Sequence, residues 1–299
     1  MRSRTPFRPR LAAGLLLLLS AVSPGQPAPA PEATPAVRSP GNAEWAVTLA
    51  EARRRADSQQ KLLFVEFGQK ACGNCQRMDT LLYPAFEFEA LLLPMVPIKL
   101  DLDAGEGKTL ASRYNVREAP SLLITTPEGR LVFLMQGFQN APDFYTHVRQ
   151  DLDSYRRFAR KVEAQRVGEL PAGEALDTGR ELFQRTDTAA ALPRLERVGK
   201  ATDAKPEMRE EALELAAAAE LDLGRPEASR KTIEKLITTT RDSDRKERAE
   251  LFQAQIPLSE NKPAEALELY RDFRKAHPQS RYAARVDEMI QMLEGARPR

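Results

Sequence analysis

The spacing of apolar positions changes several times along the chain. Lys61-Leu62-Leu63-Phe64-Val65-Glu66-Phe67 is nearly continuously apolar after its lysine, the pattern of a strand buried on both faces. Upstream, Trp45, Leu49, Ala52 and Ala56 recur at helical spacing and predict a helix over Glu44–Ser58, with Trp45 as a packing residue. Downstream, the pattern predicts helices over Gln76–Leu82 and Phe86–Leu93, a strand over Val96–Leu102 and a short helix over Leu110–Tyr114. Strands follow over Leu122–Thr126 and Leu131–Gln136, and Pro127-Glu128-Gly129-Arg130 between them is a turn signal. From Pro142, residues Phe144, Val148, Leu152 and Tyr155 share one face of a helix that the pattern carries to about Val167. Strands separated by helices, then a hairpin and a closing helix, predict a mixed α/β sheet over residues 41–155.

After Gln136 the chain shows only helical periodicity. Residues 156–172 read as a helical connection, closed by Leu170-Pro171-Ala172-Gly173, and 173–295 as an all-α region. That region repeats: Leu195, Ile233 and Tyr270 lie 38 and 37 residues apart, and Val198, Leu236 and Phe273 keep the spacing, as do Phe183, Leu221 and Leu258. Arg185-Thr186-Asp187, Gly224-Arg225-Pro226 and Glu260-Asn261-Lys262-Pro263 read as turns, each followed by an alanine-rich helix start. A helix–turn–helix unit at this period resembles tetratricopeptide-type repeats, which implies a surface for a protein partner. An unrelated helical bundle is the alternative, since the full repeat pattern is absent.

The N-terminal residues change the picture of where the chain works. Arg2, Arg4, Arg8 and Arg10 precede an apolar run, Leu11–Ala21, that is too short to span a bilayer and has the form of a signal-peptide core. Residues 1–21 are expected to be a signal peptide, with cleavage after about Ala21 or Ser23, and 22–40, rich in proline and alanine, a linker. Removal of the four arginines takes the formal charge from +2 to −2. Such a balance gives no reason to expect nucleic acid or stable membrane insertion, and the expected location is periplasmic or secreted. Only two cysteines are present, so disulfides do not form the framework of the fold.

Those two are Cys72 and Cys75, in Cys72-Gly73-Asn74-Cys75. A strand, a short loop and a helix opening on Cys-X-X-Cys make a setting in which a dithiol is redox-active. The helix N-terminus favours a thiolate on Cys72, and Cys75 lies one turn inward, placed to attack a mixed disulfide formed by the first. A metal site needs about four ligands, and the two histidines, His147 and His277, are distant in sequence and without a motif, so no metal is expected. No other cofactor is indicated. An inert structural disulfide is the remaining plain reading; a loop this short gains little stability from cross-linking.

Val65-Glu66-Phe67-Gly68-Gln69-Lys70-Ala71-Cys72-Gly73-Asn74-Cys75 resembles the first motif of the thioredoxin fold in its protein disulfide isomerase spelling. Lys99-Leu100-Asp101-Leu102-Asp103 resembles that family's next strand, and Tyr114-Asn115-Val116-Arg117-Glu118-Ala119-Pro120-Ser121 its cis-proline segment. The resemblance covers roughly residues 45–155. It implies Cys72 as nucleophile and Cys75 as resolving thiol. It implies Glu66 as a buried acid beneath the pair, with Lys99 as its companion. It also implies a substrate strand lying across Ala119 and Pro120, beside Gly73 and Asn74. The chain departs from the family at Ala71, where an aromatic residue is usual, and at Gly73-Asn74, which leave open whether the protein reduces, oxidises or isomerises.

Together these features point to an exported thiol–disulfide oxidoreductase with a helical-repeat domain. Its partners would be protein substrates with thiols or disulfides, a separate redox protein to reset the pair, and a protein held by the repeats. The alternative is an envelope adaptor in which the repeats bind partners and the thioredoxin-like domain only docks.

Overall fold

A computed structural model describes residues 44–295; the expected signal peptide and linker lie outside them. The chain forms two compact units, one up to Arg160 and one from Lys161.

The first unit is built on strands β1 (Leu62–Gly68), β2 (Met95–Asp101), β3 (Ser121–Thr125) and β4 (Leu131–Gln136), in sheet order β2-β1-β3-β4. β1 and β2 are parallel, and β3 is antiparallel to both β1 and β4. Helices α1 (Leu49–Ser58) and α4 (Gly105–Tyr114) contribute Ala52, Ala56, Leu110 and Ala111 to a core with Leu63, Val65 and Phe67. Helices α2 (Gly73–Leu81), α3 (Phe86–Leu92) and α5 (Ala141–Ala164) cover the opposite face, where Met78, Phe88, Phe144 and Val148 meet Phe64, Leu122 and Ile124. Side chains alternate across a strand, so both faces of β1 are apolar because both are covered.

Several element limits differ from the periodicity. The first helix starts at Leu49 instead of Glu44, because Ala46 N–H donates to the Pro97 carbonyl (2.8 Å) and extends the sheet by a bridge to Ile98. Thr48 then caps the helix, its Oγ1 accepting from Glu51 N–H (3.1 Å). Trp45 therefore precedes the helix. The dithiol helix begins at Gly73, three residues before the expected Gln76, because Cys72 is its N-cap. α4 starts at Gly105, ahead of the expected Leu110. Its glycines disguise a helix that crosses the end of β2 closely: a Cβ on Gly107 would lie 2.0 Å from the Asp101 carbonyl oxygen. α5 stops at Ala164, short of Val167, and Val167–Glu169 forms a 3₁₀ turn.

The second unit is all-α: α6 (Ala172–Gln184), α7 (Thr188–Lys200), α8 (Pro206–Asp222), α9 (Pro226–Thr239), α10 (Ser243–Ser259), α11 (Pro263–Ala276) and α12 (Ala283–Gly295). The positions recurring at 37–38 residues fall on like elements: Leu195, Ile233 and Tyr270 on α7, α9 and α11, all buried. Small residues stand where helices approach, as at Gly179, where a Cβ would lie 3.0 Å from Leu195 Cδ2. Arginine–acid pairs join alternate helices. Arg180 of α6 donates to Glu211 of α8 (2.6 Å), and Arg245 of α10 donates to Glu210 of α8 (2.9 Å). Arg248 of α10 pairs with Glu214 of α8 (3.4 Å), and Arg281, before α12, pairs with Asp244 of α10 (2.7 Å).

Candidate active site

The C-terminal end of β1 delivers the chain through Gln69-Lys70-Ala71 into α2. Cys72 has extended backbone geometry as N-cap, and its Sγ accepts from Cys75 N–H at 3.1 Å. That bond, with the helix dipole, is available to a thiolate at the same position. Cys72 and Cys75 form a disulfide, and both are half-buried. A Cβ placed on Gly68 would lie 4.0 Å from Cys75 Sγ, so the end of β1 runs directly under the second sulfur. Ala71 takes a positive φ of 61°, a costly region for a residue with a Cβ.

The sheet register gathers the other expected residues at this end. The Ala119–Pro120 bond is cis, and the next residue, Ser121, pairs with Phe67 of β1 and Gln136 of β4. The loop after β4 joins the same end: a Cβ on Gly137 would approach Glu118 Oε1 to 3.5 Å. Gly73 faces open space. Asn74 Oδ1 accepts from Arg77 (3.4 Å), whose guanidinium lies 4.2 Å from the centre of the Phe138 ring.

Beneath the pair sits a charged cluster. Glu66 lies on the same face of β1 as Gly68, two residues away, and is only 3% exposed. Its register partner on β2 is Lys99, whose Nζ lies 3.2 Å from Glu66 Oε2. This is an ion pair and not an aligned hydrogen bond, for Oε2 has no hydrogen-bond partner among the described residues. Lys99 instead donates to Asp79 of α2 at 2.6 Å. The ammonium is flanked by the rings of Tyr83 (4.9 Å) and Trp45 (5.3 Å). Burial pushes the Glu66 carboxyl above its ordinary range, against the pull of Lys99. Burial and the neighbouring Glu66 push the Tyr83 phenol far up. Burial draws the Lys99 ammonium down, but Glu66 and Asp79 outweigh it and the net direction is upward.

Sequence reasoning did not single out Asp79, Tyr83, Arg77 or Phe138. Asp79 carried a usable signal: it stands four residues after Cys75, hence on the same helix face. Trp45, read as packing, packs on Phe64 and Tyr83 and also faces Lys99. No group of three or more metal-ligating side chains occurs among the described residues, and no helix among them is long and apolar enough to cross a membrane.

Residues 49–150 match the family model for a thioredoxin-like domain. No curated protein matches the chain. Among solved structures, the chain is 28% identical to a proposed disulphide-isomerase from Bacteroides thetaiotaomicron, over 40% of this chain and 98% of that one, with a TM-score of 0.36. A thioredoxin from Thermus thermophilus is 27% identical over 34% of this chain and 81% of its own, with a TM-score of 0.32. An oxidoreductase named DsbH is 19% identical over 45% and 95%, with a TM-score of 0.32. By the family match, the first unit carries a thioredoxin-like domain, and an all-α region follows it.

Proposed function

We propose that the protein is an exported thiol–disulfide oxidoreductase acting on protein disulfides, with its helical unit, tetratricopeptide-like in spacing, binding a protein partner. The observation that carries this reading is the placement of the Cys72–Cys75 disulfide at the N-cap of α2, over the end of β1 to which Ser121, next after Pro120, is register-paired. In the reducing direction, the Cys72 thiolate attacks one sulfur of a client disulfide. A Cys72–client mixed disulfide forms, and the other client sulfur leaves as a thiolate. Cys75 then gives its proton to Glu66, and its sulfur attacks Cys72 Sγ. The Cys72–client bond breaks and the Cys72–Cys75 bond forms. Two electrons pass from the dithiol to the client, whose thiolates take protons from water. The oxidising direction is the same sequence reversed, and a separate redox protein resets the pair. Lys99 balances charge near Glu66. Ala119 and Pro120 face the client strand, with Gly73 and Asn74 at its edge.

Cys75→Ala leaves a mixed disulfide with no resolving thiol. Expressed with its leader, this variant should accumulate covalent complexes with envelope proteins that dissolve under dithiothreitol. A variant that captures nothing, while the wild type fails to reduce insulin disulfides, would favour the non-catalytic adaptor.

A further inference from the structure

The cluster under Cys75 holds one cation and two acids. When all three ionise, the site carries a net negative charge, and the cost falls on the one acid held away from water, Glu66. The two acids are unequal. Asp79 is 43% exposed and takes the close, aligned hydrogen bond from Lys99 at 2.6 Å. Glu66 is 3% exposed, and the oxygen nearest Lys99 receives no aligned hydrogen bond. The lysine is therefore shared between the two acids, its shorter, aligned hydrogen bond going to the more exposed one.

We propose that Asp79 is a positioning residue for proton transfer from Cys75: it holds Lys99 away from full pairing with Glu66, so that the buried carboxylate keeps its capacity to take a proton. This rests on reading Glu66 as the base for Cys75. The groups facing Glu66 are Lys99 from β2, Asp79 from α2 and Tyr83 just after α2. Burial raises its proton affinity most, Lys99 and then Tyr83 draw it down, and Asp79 raises it. Tyr83 stays protonated through the neutral range, since its phenol is pushed far up. Asp79→Asn keeps the shape of the side chain but removes one negative charge and the strongest acceptor for Lys99. The ammonium is then free to turn to Glu66, whose carboxylate is stabilised and becomes a weaker base.

The test follows the reduced full chain, in excess, reacting with dithiobis(nitrobenzoate) in stopped flow, so that no second reagent molecule competes for Cys75. Cys72 attacks first and releases one thionitrobenzoate. Cys75 then resolves the mixed disulfide and releases the second, so the second phase reports resolution. In the wild type this phase should slow on the acid side, as Glu66 takes up its proton. Asp79→Asn should move that limb to lower pH and slow resolution at neutral pH several-fold, less than the loss of about 100-fold expected when a general base is removed altogether. Asp79→Glu should restore the wild-type limb. The fluorescence of Trp45, the chain's only tryptophan, is measured on the oxidised protein and should titrate with a midpoint that moves the same way. An acid limb and fluorescence midpoint unmoved in Asp79→Asn, with Glu66→Gln abolishing the limb, would overturn the role of Asp79 alone. A limb that persists in Glu66→Gln would overturn the underlying reading of Glu66.

Discussion

Gly107→Ala is the sharpest test of how the site is braced. The added Cβ would fall 2.0 Å from the Asp101 carbonyl oxygen and 2.8 Å from its carbon. Ordinary contact begins near 3.4 Å, so helix and strand must part by more than 1 Å. Both sides are backbone, and neither has a soft side chain to yield. The strand end is also held, since Leu102 N–H donates to the Gly68 carbonyl at 2.9 Å. Overpacking of this kind costs about 3 kcal/mol. Alanine returns about 1 kcal/mol through its better helix propensity, leaving a net loss of about 2 kcal/mol. For a unit of this size that lowers the melting temperature by about 8 °C. Urea unfolding followed by Trp45 fluorescence isolates the first unit, since the ring packs against Phe64 and Tyr83 there. Gly73→Ala, whose Cβ meets nothing within 4 Å, serves as the neutral comparison. If Gly107→Ala unfolds within about 0.5 kcal/mol of the wild type, the range of an ordinary surface substitution, the close crossing of α4 over β2 is not what demands glycine.

Two further outcomes follow. Because burial raises the folded-state Glu66 value above the ordinary 4.5, its contribution to stability is fully present below that value and is lost as pH rises through the folded one. The stability of Glu66→Gln relative to the wild type should therefore improve as pH climbs from about 4.5 toward neutral in urea titrations; an unchanged difference would mean that Glu66 titrates as an exposed acid does. Lys99, shifted upward from 10.5, does not alter that window. In the helical unit, Arg245 bonds Glu210 and the Glu207 carbonyl across two helices, and Arg245→Ala should cost about 1–2 kcal/mol. Circular dichroism melts would detect this, and a change below about 0.3 kcal/mol would make the pair a surface ornament.

The sheet was legible because β1 to β4 carry apolar runs that no helix period explains, and Leu131–Gln136 was placed to the residue. Boundaries failed where tertiary contacts overruled local pattern. Ala46 joins the sheet although its neighbours follow helical spacing, and Gly105 and Gly107 look like loop residues while lying in α4. At the candidate site, Cys72, Cys75, Glu66, Lys99 and Pro120 were named through motif and resemblance. Asp79, Tyr83 and Arg77 were not, because their meaning depends on which side of α2 faces β2, Trp45 or Phe138, and one-dimensional spacing carries little of that information. The repeat positions Leu195, Ile233 and Tyr270 stood out because each lies in the core, where volume is constrained.

The arginine–acid pairs of the second unit have an orientation. α6 offers Arg180 forward, and α8 offers acids on both sides, Glu211 back to α6 and Glu210 and Glu214 on to α10. α10 answers with Arg245 and Arg248 and then turns Asp244 toward Arg281. The helix pairs are consequently not interchangeable blocks. A duplicated α8–α9 pair would set Glu210 and Glu214 of one copy against Glu211 of the next, acid against acid, and excision of the same pair would bring Arg180 to the arginines of α10. The order of the helix pairs is written in charge, so that lengthening or shortening the unit by one pair would set like charges against each other.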